Sequence, residues 1–124
     1  MDYEEFIDQV AVRAGIDDRE KAAQLTHATL QTLAERITGG EARDLAEQLP
    51  RGLKGPLRKG EEPAENFDLR EFERRVAERA DLAKWQAPLG IRAVFETLHD
   101  AVSGGEWDDL VSQLPSEYRQ VVAA

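Results

Sequence analysis

The chain is predicted to be all-α, a bundle of about seven or eight helices, and three observations carry that expectation. Apolar residues recur at helical spacing through both halves of the sequence, no polar-apolar alternation runs long enough to stand as a strand, and the second half repeats the first. A shift of 66 positions pairs Glu5, Phe6, Val10, Ala11, Arg13 and Ala14 with Glu71, Phe72, Val76, Ala77, Arg79 and Ala80. After a one-residue deletion the shift is 65, and it pairs Gly39-Gly40-Glu41 with Gly104-Gly105-Glu106 and Gln48-Leu49-Pro50 with Gln113-Leu114-Pro115. Shared helical composition would not reproduce a glycine pair and a proline at matched positions. The expected architecture is therefore one domain, 1–124, built from two tandem copies of a four-helix repeat related by a pseudo-twofold axis. Repeat one spans 2–58, a connector 59–67 and repeat two 68–124.

Each element has a local reason. Tyr3, Phe6, Ile7, Val10 and Ala14 form one helical stripe, and Leu69, Phe72, Val76 and Ala80 form its counterpart, with Asp2 and Asp68 as N-caps. A longer helix following Asp17 or Asp18 places Ala22, Leu25, Thr29, Leu33 and Ile37 on one face; its copy places Ile91, Val94, Phe95, Leu98 and Val102. The copy departs from the pattern where Asp81 stands at the Gly15 position and where Trp85 and Pro88 enter, so Pro88 is expected to mark a first turn or a distortion of its helix. Both long helices are expected to end at the glycine pair, as left-handed C-caps. Glu41 and Glu106 then fall in the first turn of a third helix, which buries Leu45 and Leu49, or Trp107, Leu110, Val111 and Leu114. Pro50 and Pro115 end it. Tyr118, Val121 and Val122 suit a short terminal helix, whereas Gly52, Gly55 and Pro56 interrupt the corresponding stretch of the first half. Gly60 to Asn66 reads as an exposed connector.

Composition narrows the function classes. The 124 residues, 41% hydrophobic and 33% charged, belong to the globular range. Without cysteine there is no disulfide, thiolate metal site or thiol catalysis. The start Met1-Asp2-Tyr3-Glu4-Glu5 is the reverse of a basic signal peptide and no stretch suits a membrane span, so a cytoplasmic location is expected. A net charge of −9 opposes nucleic acid and anionic membranes as partners.

The duplicated pattern, with Phe6-x3-Val10-Ala11-x-Arg13-Ala14 and then Gly39-Gly40-Glu41-x2-Asp44-Leu45-x2-Gln48-Leu49-Pro50 and its second copy, resembles domain of unknown function family 2267 over nearly the whole chain. The resemblance implies a small bacterial helical protein. It implies no activity, cofactor or catalytic residue.

Read individually, the chemical candidates are weak. Glu96-x2-His99 matches half of a carboxylate-bridged di-metal motif, but Gln31 and Ala34 occupy the matching positions of the first half. His27 and His99 are not equivalent in the repeat, and no nucleophilic serine lies beside them. Glu41 with Asp44, and Glu106 with Asp109, could divide acid and base roles, but their place after the glycine pair favours capping. The same glutamates would repel a phosphate at those helix starts, and there is no phosphate-loop lysine. No catalytic, cofactor or metal site is therefore assigned.

The expected function is a non-enzymatic protein-interaction or scaffold module, with self-association as one form of it. The alternative is a small carboxylate- and histidine-dependent enzyme or metal-binding bundle with a cleft between the repeats. Two features suit docking of a protein partner. Arg51, Lys54, Arg58 and Lys59 form a basic run with no acidic residue between Gln48 and Gly60, although capping of a helix end explains such cations as well. Trp85, near an irregular helix start, is the better interface candidate of the two tryptophans, since Trp107 falls on a core face.

Overall fold

The computed structural model describes residues 1–58, 60 and 62–122. Among them are seven α-helices and no strand: α1 Tyr3–Ala14, α2 Arg19–Arg36, α3 Gly39–Glu47, α4 Leu69–Ala80, α5 Ala87–Ala101, α6 Gly104–Ser112 and α7 Arg119–Val122. Single 3-10 turns occupy Gly55–Leu57, Lys84–Gln86 and Ser116–Tyr118. No helix among these residues is long and apolar enough to cross a membrane.

Helix starts follow local chemistry. Asp2 accepts the Glu5 N–H, Asp18 the Glu20 N–H and Asp68 the Glu71 N–H, each meeting one of the donors a first turn leaves free. Pro88 sits in the first turn of α5, where its missing N–H breaks no helical bond. The helix ends require one correction. The glycine pairs do not close the long helices; Ile37 and Val102 do so in extended conformation, and Gly39-Gly40 and Gly104-Gly105 open α3 and α6. Thr38 and Ser103 are the N-caps, their hydroxyls accepting the Glu41 and Glu106 N–H groups. The left-handed closures lie elsewhere, at Gly15 after α1 and Asp81 after α4, with φ of 67° and 55°. The second half thus places a side chain where the first has glycine.

The long helices α2 and α5 form the centre, and each first helix packs on the long helix of the other half: α1 along α5 and α4 along α2. Arg13 makes this explicit by donating to Thr97 at 3.0 Å and to the Asp100 carboxylate. Arg79 does the corresponding thing, donating to Thr32 at 2.9 Å and to both carboxylate oxygens of Glu35. Thr32 and Thr97 are themselves buried, each hydroxyl donating to the carbonyl four residues back. Where α2 and α5 meet, a Cβ on Gly90 would come within 2.9 Å of Leu25, so glycine is what permits the approach.

Leu53 and Leu57 enter the core of the first half without an α-helix to carry them. The turn before them is held by Gly52, at φ 21°, whose Cβ would lie 2.6 Å from the Tyr3 ring. In the second half α7 supplies Val121 and Val122, and Tyr118 stands edge-on to Phe72 while its hydroxyl donates to the Phe67 carbonyl at 2.9 Å. Arg36, though buried, donates to that same carbonyl and to Asn66. The connector is also pinned, by the Glu65 N–H to the Glu35 carbonyl at 2.8 Å.

Candidate functional site

Two places on the molecule have chemistry to offer. The first surrounds Trp85. The 3-10 turn Lys84–Gln86 is held by the Ala83 N–H donating to Gln86 Oε1, and it turns the Trp85 indole outward, 79% exposed. One turn into α5, Leu89 is 55% exposed. Both border a cavity of about 250 Å³ that is also lined by Leu25, Leu82 and Gly90 and by Ala14, Gly15 and Ile16. Gln86 and the indole N–H of Trp85 are the polar side-chain groups on its lining. A space of this size takes an amino-acid side chain more readily than a cofactor, whose sites run to roughly 300–1,000 Å³.

The second place lies between α3 and α6, and the sequence reading did not foresee it. The Thr38 N–H donates to Gln113 Oε1 at 3.0 Å and Gln113 Nε2 to the Thr38 hydroxyl at 3.3 Å. In the opposite sense, the Ser103 N–H donates to Gln48 Oε1 at 2.7 Å and Gln48 Nε2 to the Ser103 hydroxyl at 3.2 Å. The amide that ends each helix thus grips the N-cap of its neighbour, so the two helices run antiparallel. This accounts for the glutamine in the repeated Gln-Leu-Pro sequence. It also corrects the expected role of Glu41 and Glu106: glutamine, not glutamate, occupies the N-cap N–H groups. The two glutamates turn inward instead and are only 6% and 7% exposed.

There, Glu41 and Glu106 face each other. With the exposed Asp109, each contributes a carboxylate oxygen to a group lying within 4.8 Å of one another. One oxygen on each glutamate, Oε2, is buried with no N–H or hydroxyl donating to it. Burial first, and then the hydrogen bond and charge of Glu106, push the Glu41 carboxyl up to about 8. Two carboxylates cannot both ionise at such close quarters without a proton or a cation between them.

The other sequence candidates are dispersed. His99 stacks on the buried Trp107, ring centroids 4.2 Å apart, and Glu96 is an exposed residue of α5. His27 stands edge-on to Tyr3, and partial burial lowers its pKa. In the basic run, Lys54 caps α3, its Nζ donating to the Ala46 carbonyl at 2.7 Å and to that of Glu47. Arg51 and Arg58 are exposed, and Lys59 lies outside the described residues.

An all-α chain with an apolar pocket under an exposed tryptophan and a carboxyl pair clamped between two short helices is the class of protein these features define. A family model described as an uncharacterised conserved protein, DUF2267, matches residues 3–121, and the chain belongs to that family. No curated protein matches it.

Proposed function

We propose that the protein is a non-enzymatic interaction module, two copies of one helical repeat packed crosswise, that docks a protein partner at the Trp85 pocket. The carrying observation is the exposure of Trp85 and Leu89 side by side on the rim of an apolar cavity. Large rings of this kind are the residues on which interface energy concentrates, and an adjoining pocket receives the partner's own anchor. The occupant is an aliphatic or aromatic side chain of the partner, because the side chains that line the cavity are mostly apolar. The net charge of −9 favours a protein over a nucleic acid. The reading as two repeats is supported by the reciprocal pairs: Arg13 with Arg79, Thr97 with Thr32, and Gln48 on Ser103 with Gln113 on Thr38. Lys54, engaged by the end of α3, gives the basic run little to offer, so the Trp85 face is preferred.

The test replaces Leu89, as Leu89→Ser, and uses Val12→Ser as the control, since Val12 is 81% exposed and does not line the pocket. A photo-crosslinking residue at position 85 of the otherwise wild-type chain, in its native cell, should give one dominant adduct. The adduct should be lost when Leu89→Ser is added and kept with Val12→Ser. An adduct of twice the chain's own mass would identify self-association. Equal adduct yield in all three chains would overturn the reading.

A further inference from the structure

We propose that Glu41, Glu106 and Asp109 form a binding site for a hard divalent cation, calcium by preference, held between α3 and α6. Glu106 and Asp109 are one helical turn apart and therefore share a face of α6, while Glu41 reaches the same point from α3. Their ligand oxygens lie within 4.8 Å of one another. Oxygens bound to a common ion at ~2.4 Å, the calcium distance, are separated by at most ~4.8 Å. Three carboxylates converging on one point suit calcium better than magnesium, which keeps several of its waters and takes one or two carboxylates. An all-carboxylate set is also the ligand chemistry of hard cations rather than of zinc or copper.

A cluster of acids alone would mean little; the buried oxygens make the case. Glu41 Oε2 and Glu106 Oε2 are enclosed in residues more than nine-tenths buried, and no N–H or hydroxyl donates to either, so that a shared carboxyl proton or a cation has to lie between the two groups. An acceptor in that position costs free energy unless something fills it. The neighbouring donors are already committed: the Glu41 and Glu106 N–H groups bond to Thr38 and Ser103, and the Thr38 and Ser103 N–H groups bond to the glutamine amides. Those glutamine clamps also fix the spacing of the helices before any ion arrives, which lowers the ordering needed on binding. Asp109, on the exposed side, marks the entrance, where water completes the coordination of a six- to eight-ligand ion. The inference is independent of the docking reading.

The experiment uses the full chain after treatment with a chelator. Calcium titrated by calorimetry should show one saturable site per chain and raise the melting temperature. Terbium, a calcium mimic, should show luminescence sensitised by Trp107, the residue beside Glu106, and calcium should displace it. The near-isosteric Glu41→Gln and Glu106→Gln, checked for unchanged helical signal, should each weaken calcium binding by at least ~10-fold, and Asp109→Asn should weaken it to a smaller degree. Trp107→Phe should remove the luminescence while leaving the calorimetric affinity in place. Absence of a saturable heat and of any melting shift at millimolar calcium in the wild-type chain overturns the site. So does binding that survives both glutamine variants, or a magnesium affinity exceeding that for calcium.

Discussion

At the scale of single residues, Asp81 and Gly15 make a natural comparison. Both close a first helix in the left-handed region, but only Asp81, at φ 55°, does so with a Cβ. That conformation costs an L-residue ~1–2 kcal/mol, less for aspartate, whose short polar chain tolerates it. Asp81→Gly should therefore raise stability, by ~0.5–1 kcal/mol, an increase readable in the midpoint of urea unfolding. A lowered midpoint would show that the Asp81 side chain contributes more than its backbone strain removes. The position was legible from sequence because the repeat aligned aspartate with glycine. The exposure of Trp85 was not legible, since whether a ring faces solvent depends on the direction in which the preceding turn leaves α4, a property of several residues at once.

At the scale of the helix pair, α3 and α6 carry a titration that stability should report. Glu41 is held protonated to about 8 in the folded chain against an ordinary value of 4.5, so between these pH values the folded state binds more protons than the unfolded one. Stability must then fall as pH rises through that window. Glu71 acts oppositely but lower down: held near 2 by Arg74 and Arg75, its contribution is complete above pH 5. His27, lowered by burial from 6.5, adds stability with rising pH only up to that value. The interval from 6.5 to 8 is thus governed by Glu41. With chelator present, the melting temperature should decline across it, and Glu41→Gln should flatten the decline. An unchanged slope in the variant would assign it to another group. Both glutamates were visible in sequence as first-turn carboxylates, yet their meeting was not. Within one helix Glu41 has no reason to bury; the burial comes from the second helix laid antiparallel against it.

For the whole molecule, the crosswise packing of α1 on α5 and α4 on α2 joins the two halves in one core, although α1 also packs on α2 of its own half. Phe6, Ile7 and Val10 of α1 are buried, and much of their cover comes from the other half of the chain. A fragment spanning 1–63 should accordingly melt without a cooperative transition, and mixing it with one spanning 64–124 should restore both helical signal and cooperativity. A cooperative melt of the first fragment by itself would mean that the packing of α1 on α2 suffices without α5. The sequence by itself determined the helices, the caps at Asp2 and Asp68, a helix start at Asp17 or Asp18, Pro88 at a first turn or a distortion, the burial of Trp107 and the kinship with an uncharacterised family. All of these depend on neighbours within a turn or two of the chain, or on the recurrence of such local patterns. Tertiary structure alone decided that the glycine pairs open helices rather than close them, with Thr38 and Ser103 held by distant glutamines. It alone committed Lys54 to the end of α3, stacked His99 on Trp107 and brought Glu41 to Glu106. Those outcomes depend on which helix crosses which, and at what height. That geometry arises from the simultaneous packing of the whole apolar core, so no single stretch of sequence encodes it.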